Sequence, residues 1–235
     1  MKGVFVTGTD TGIGKTITCA ALMNRYRPLA KVGGTSLGYW KPVQTGSPPD
    51  DDPGEVKRLA NCNDQEIWAP SARFAPPVSP HLAAALAGVR LDIAGLQDLA
   101  PLEETGTTEG ALPTNFARWI VEGAGGVLVP LNETQMMTDW IMHLGLPVVV
   151  AARSTLGTIN HTLLTVEALR ARCIRSLGVI MVGPLNSDNR RAIERYGNLP
   201  VLGEMPMFPM LDADTLARWS EQHLDPDAHL KEFLA

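Results

Sequence analysis

Four short runs of this chain, 4–6 (VFV), 119–121 (WIV), 147–152 (PVVVAA) and 177–182 (LGVIMV), are apolar through their length rather than at alternate positions. A strand with one wet face alternates; one covered on both faces does not, and strands of the second kind belong to parallel sheets. Residues 37–43 and 201–203 read as two further strands. Helical patterns lie between these runs. The first follows Lys15, with Ile17, Ala20, Ala21 and Met23 on its apolar side, and is expected to stop before Pro28. Short helices are expected at Pro53–Asn61 and His81–Ala87, and another from Leu91 to Leu102, followed by a polar connection at 103–113. Ile159, Leu163, Val166 and Leu169 recur at spacings of four, three and three, an amphipathic helix over 158–172. The tail from Asp212 reads as one or two surface helices. Strands alternating with helices predict an α/β fold, a parallel sheet with helices on both faces. With no linker or repeat, residues 1–235 are expected to form one domain. Such a sheet gathers its chemistry at the carboxyl ends of its strands.

The first strand runs into GTDTGIGKT. A phosphate-cradling loop reads Gly, four residues, then Gly-Lys-Ser/Thr; here five residues separate Gly8 from Gly14. Counting back from Gly14-Lys15-Thr16, the expected glycine falls on Thr9, with Gly8 displaced by one. The physical parts survive the irregularity. Gly12 and Gly14 permit close backbone approach, the following helix turns its positive end to an anion, Lys15 reaches the β- and γ-phosphates and Thr16 offers a hydroxyl to Mg²⁺. The loop is read as P-loop NTPase-like. Partition-type switch ATPases carry a second lysine early in this loop, where this chain has Asp10.

A magnesium nucleotide needs acidic partners as well. Glu122, in VEGAGG at 121–126, directly follows the third strand; the bland reading is a glycine turn with its carboxylate in solvent. Asp50-Asp51-Asp52 follows the second strand, and alone would be a solvated loop. Lys41, in WKPVQTG, is either a snorkelling lysine or, beside Lys15, a second cation for charge developing on a transferred phosphoryl group. LGTINH at 156–161 starts the amphipathic helix: Thr158 is an N-cap candidate, and the helix start an anion site suited to a carboxylate. His161 is a candidate for proton transfer, with nothing nearby in sequence to orient it. No Ser-His-Asp order or catalytic cysteine is found.

The net charge of −5 argues against a nucleic-acid partner, which needs a basic surface. No apolar run approaches the ~20 residues of a membrane helix, and no leader is visible at the N-terminus. Cys19, Cys62 and Cys173 have no metal-ligand spacing, so free thiols in a reducing cytoplasm are expected.

Taken together and in this order, GTDTGIGKT, YWKPVQTG, VEGAGG and LGTINH closely resemble dethiobiotin synthetase, over Met1 to about Glu204. The resemblance implies an ATP- and Mg²⁺-dependent cyclo-ligase acting on 7,8-diaminononanoate and CO₂ (or bicarbonate) in biotin biosynthesis, as a cytoplasmic homodimer with substrate across the interface. Carried onto this chain, it implies Lys15 and Lys41 as catalytic cations, and Thr16, Asp52 and Glu122 as the metal set, with the register inside the triple aspartate open. It places nucleotide on Gly12, Ile13, Gly14, Ile17, Gly123, Ala124, Gly125, Val182, Gly183, Pro206, Met207 and Phe208. Substrate falls to Thr11, Lys41 and Thr45, with Gly157, Thr158 and Asn160, on the partner subunit, for its carboxylate. Two positions depart from the family pattern: Gly12, often glutamate, and Val182-Gly183, where many members have Asn-Asp to read adenine. Rival expectations are a partition or nitrogenase-iron type nucleotide switch acting through a protein partner, against which Asp10 stands, and a cobyrinate-type amide synthase, which carries a glutamine-hydrolysing domain.

Overall fold

The computed structural model describes residues 1–98 and 118–235. The elements, in chain order, are β1 (Gly3–Gly8), α1 (Lys15–Val32), β2 (Leu37–Trp40), β3 (Val43–Thr45), α2 (Asp52–Leu59), β4 (Ile67–Trp68), β5 (Ala72–Phe74), α3 (Pro80–Leu86), α4 (Ile93–Asp98) and β6 (Arg118–Gly126). There follow α5 (Met137–Leu144), β7 (Val148–Arg153), α6 (Thr158–Arg170), β8 (Ser176–Val182), α7 (Ser187–Gly197), β9 (Val201–Met205), α8 (Ala213–His223) and α9 (Lys231–Leu234). The expected polar connection at 103–113, and the end of the helix expected to reach Leu102, lie outside the described residues.

Seven strands form one parallel sheet in the order β4-β2-β6-β1-β7-β8-β9. β1 is central, so the loop after it opens between the ends of β6 and β7. The apolar runs are buried on both faces. Phe5, Val121, Val148 and Val150 pack under Trp140 of α5 and Val166 and Leu169 of α6. Val4, Val6, Ile120 and Val149 pack under Leu22 and Met23 of α1 and Leu216 and Trp219 of α8. Each fully buried side chain of this size contributes roughly 1.5–3 kcal/mol relative to exposure, which is why these strands tolerate no polar alternation.

Three expectations are corrected. The first helix does not stop before Pro28; α1 runs through it to Val32. Tyr26 and Ala30, on either side of the proline, are buried against the C-terminal segment, and that packing outweighs the backbone hydrogen bond proline cannot donate. The strand expected over 37–43 is two: β2 joins the large sheet, while β3 pairs with β5 in a small parallel sheet. Pro42 stands at the break, without an amide hydrogen to continue a ladder. The tail forms the expected surface helices, α8 and α9, with Leu216, Trp219, Leu224, Leu230 and Leu234 buried on its inner side. Glu122 does not follow its strand but lies inside β6, paired in register with Val6.

Candidate active site

The loop between β1 and α1 ends at Gly14, whose φ of +95° is left-handed backbone that an L side chain adopts only under strain. A Cβ there would also stand 3.1 Å from the Val182 side chain. This conformation brings Lys15 and Thr16 to the first turn of α1 at the carboxyl edge of the sheet. Lys15 is buried, and its Nζ donates to the Asp10 carbonyl at 3.0 Å.

Three oxygens converge beside it. Thr16 Oγ1 lies 3.0 Å from both Asp52 Oδ1 and Glu122 Oε1, donating to one at a time. Lys41 Nζ contacts Asp52 Oδ2 and stands 2.9 Å from Glu122 Oε1. Tyr39 donates its hydroxyl to Glu122 Oε2 at 2.8 Å. Glu122 is 1% exposed and Lys41 5%, which removes both the solvent-facing glutamate and the snorkelling lysine as readings. Of the triple aspartate, Asp52 alone enters this cluster. Asp51 is exposed and pairs with Arg73 at 3.5 Å, and Asp50 lines the cleft wall.

The electrostatics follow from the packing. Burial draws the Lys15 ammonium below its ordinary value, with the charge of Lys41 adding to the effect and that of Glu122 opposing it. Burial acts on Lys41 the same way, but Glu122 and Asp52 outweigh it and hold that ammonium charged well above the usual range. Burial alone would raise Asp52; the charge and hydrogen bond of Lys41 prevail and keep its carboxyl below the usual range. Burial, and then the charge of Glu122, keep the Tyr39 hydroxyl protonated and therefore a donor.

Around this cluster is a cleft of about 490 Å³ lined by Thr11, Lys15, Thr16, Lys41, Thr45 and Asp52, with Ala124 and Gly125 on the far wall. A second cleft of about 670 Å³ continues from it along Thr11, Gly12, Gly14 and Ile17, and is bounded by Ile13, Val182, Pro206, Met207 and Phe208. Most of the residues expected at the site thus line one continuous surface. Some do not. Gly123 is packed within β6, where a Cβ would meet the Phe5 ring at 2.7 Å. Gly183 has a φ of +133°, and its Cβ would fall 2.5 Å from Ser154 Oγ, so this backbone has no room for a side chain there. Gly157 and Asn160 are exposed at the start of α6, away from both clefts. The Thr158 hydroxyl is turned inward to Thr162 Oγ1 at 3.4 Å.

Reading the sequence alone misses three participants. Tyr39 sits inside YWKPVQTG and carries no catalytic signal there. Gln44 is buried and joins the loop ends, its Oε1 accepting from Asp52 N at 3.3 Å and its Nε2 donating to Thr45 O at 3.0 Å. Arg153, at the end of β7, pairs with Asp10 at 2.6 Å; only its place at a strand's carboxyl end hints at the role.

A hydroxyl and two carboxylates are hard oxygen donors. Among the described residues no group of three or more His, Cys, Asp or Glu is arranged to hold a metal ion. A set of this kind fits a hard cation that keeps several waters and substrate phosphates as ligands, as Mg²⁺ does.

A central strand, a glycine-lysine-threonine loop, a helix and a carboxylate on the adjacent strand define a P-loop nucleotide-binding protein. The AAA domain family matches residues 2–215, and the MinC:MinD cell division complex of Aquifex aeolicus shares the fold, with a TM-score of 0.51 at 12% identity over 94% of this chain and 87% of that one. Among relatives, the ATP-dependent dethiobiotin synthetase of Paramagnetospirillum magneticum is 43% identical over 92% of this chain and 94% of its own length. A biotin biosynthesis bifunctional protein of Bordetella avium is 44% identical over 94% of this chain, which spans 43% of that longer protein. The chain belongs to the ATP-dependent dethiobiotin synthetase family, enzymes of the ligase class.

Proposed function

We propose that this protein closes 7,8-diaminononanoate and CO₂ into the cyclic urea of dethiobiotin, converting ATP to ADP and phosphate, as a step of biotin biosynthesis. The observation that carries the reading is the convergence of Lys15, Lys41, Thr16, Asp52 and Glu122 on one cleft. Phosphoryl transfer asks chiefly for positioning and charge neutralisation, and these residues are suited to both.

One substrate amine adds to CO₂ and loses a proton, giving a carbamate. A carbamate oxygen attacks the γ-phosphorus, the bond to the ADP oxygen breaks, and a carbamic-phosphoric anhydride results. The second amine then attacks the carbamoyl carbon, the C–O bond to phosphate breaks, and the ring closes. Lys15 neutralises charge on the β- and γ-phosphates. Lys41 faces the acceptor, its positive charge offsetting that of the carbamate. Thr16, Asp52 and Glu122 would hold Mg²⁺, which when bound screens the triphosphate. Thr45 and Thr11 contact the amine end, and a neighbouring cavity of about 500 Å³, running from Thr11 past Val127 and Leu164, suits the apolar chain.

The catalytic unit is a single domain over 1–235, paired with a second copy. Gly157, Thr158 and Asn160 then serve the other subunit's substrate carboxylate, Thr158 through its position at the helix start rather than its hydroxyl. Leu156, Leu164 and Leu128, at 98%, 56% and 50% exposure, support a covered face there. The nucleotide-switch reading is not favoured, because Asp10 brings a negative charge where that class carries a lysine. No helix among the described residues is long and apolar enough to cross a membrane, in keeping with a cytoplasmic enzyme.

The test is phosphate release with ATP, Mg²⁺, bicarbonate and the diamine, each omitted in turn. The proposal expects release to need all four; release needing ATP and Mg²⁺ alone contradicts it.

A further inference from the structure

Arg153 is the last residue of β7, paired in register with Val182 of β8, and two positions after Ala151, which pairs with Gly8 of β1. It therefore stands between the phosphate loop and the platform formed by Val182 and Pro206–Phe208, on the wall of the 670 Å³ cleft. Its Nη2 donates to Asp10 Oδ2 at 2.6 Å, while its Nε is buried with no partner among the described residues. Asp10 Oδ1 accepts from the Thr11 amide at 2.8 Å, and the Asp10 carbonyl accepts from Lys15.

This is a guanidinium held one-handed at the edge of a cleft for a polyanion. Guanidinium groups match phosphate oxygens with two parallel hydrogen bonds, a geometry a single carboxylate oxygen does not satisfy. The pair is partly exposed, at 35% for Arg153 and 49% for Asp10, and such pairs hold weakly. Changing partner is accordingly easy. We propose that Arg153 is a nucleotide-binding residue, oriented by Asp10 in the free protein and passed to the nucleotide phosphates when these enter the cleft. The inference rests on the nucleotide reading of the cleft. It adds a third cation to Lys15 and Lys41, and it explains Asp10 as the negative charge that keeps the arginine extended toward the loop.

The experiment is equilibrium binding of ADP, with adenosine followed by NMR, to the full chain and to Arg153→Met, Arg153→Lys and Asp10→Asn. Losing a charge-assisted contact to phosphate weakens ADP roughly tenfold or more in Arg153→Met, with adenosine unchanged. Arg153→Lys restores part of the loss. Asp10→Asn, which removes the competing carboxylate, binds ADP as tightly as the parent or more so. Unchanged ADP affinity in Arg153→Met overturns the inference. Equal weakening in Asp10→Asn and Arg153→Met also overturns it, since the pair would then only tie down the loop. Failure of the parent chain itself to bind ADP removes the nucleotide reading along with it.

Discussion

The ammonium of Lys41 stands 2.9 Å from Glu122 Oε1, buried at the carboxyl edge of the sheet, while the Tyr39 hydroxyl holds the other oxygen of the same carboxylate at 2.8 Å. One buried acid thus faces a cation on one side and a neutral donor on the other. Its orientation is fixed before any ligand arrives.

Replacing Lys41 by methionine removes the charge that faces the acceptor. If Lys41 acts as a preorganised donor, turnover falls on the order of 10²–10³-fold, read by steady-state kinetics. Nucleotide affinity changes far less, because Lys15 and the loop amides remain.

Tyr39→Phe leaves Glu122 in place but frees its second oxygen. Groups that orient metal ligands typically affect affinity by about 10–100-fold. The Mg²⁺ concentration for half-maximal activity is expected to rise by that order, and Mn²⁺ binding followed by electron paramagnetic resonance is expected to weaken in parallel. Chelation of divalent cations abolishes turnover in both proteins.

One carboxylate helps to fasten the tail. Asp225 is fully buried and accepts from the Tyr26 hydroxyl, from His229 N at 2.9 Å and from Leu230 N at 2.8 Å. Asp225→Ala leaves three donors unmet, and chemical denaturation is expected to register a loss of about 2–4 kcal/mol. Tyr26→Phe removes one donor and costs less.

Thiol reactivity separates the three cysteines. Cys173 is exposed, whereas Cys19 and Cys62 are buried. Burial, above all, pushes the Cys62 thiol up to about 12 and Cys19 well above its usual range. Thiolate is the reactive form, so at pH 8 a native sample should titrate one fast thiol with a disulfide reagent, and three once unfolded.

Much of this fold is written in the apolar runs, because burying both faces of a strand leaves no freedom for alternation. The parallel sheet follows from that pattern, whereas the strand order, with Val4–Val6 at its centre, does not. Pro28 shows its limit: the sequence shows the missing amide hydrogen but not the C-terminal segment that packs over Tyr26 and Ala30. The split at Pro42 was hidden for a similar reason, since β5, the partner of β3, is only three residues long. At the site, Lys15 and Thr16 are legible through the glycine loop before them, and Glu122 as the carboxylate of an otherwise apolar run, although it lies inside β6 rather than after it. Asp52 could be separated from its two neighbours only by where α2 begins. Tyr39 and Gln44 were invisible because their roles depend on a contact across strands or around a loop, and no local pattern encodes either.

The central claim is that the carbamate oxygen attacks phosphorus, and that this oxygen leaves with phosphate when the ring closes. Turnover with ¹⁸O-labelled bicarbonate, in unlabelled water and at times short against isotope exchange, tests it directly by mass spectrometry of the phosphate. The account predicts one labelled oxygen from bicarbonate in each phosphate released. Phosphate carrying oxygen from water instead would mean simple hydrolysis of ATP, and would contradict it.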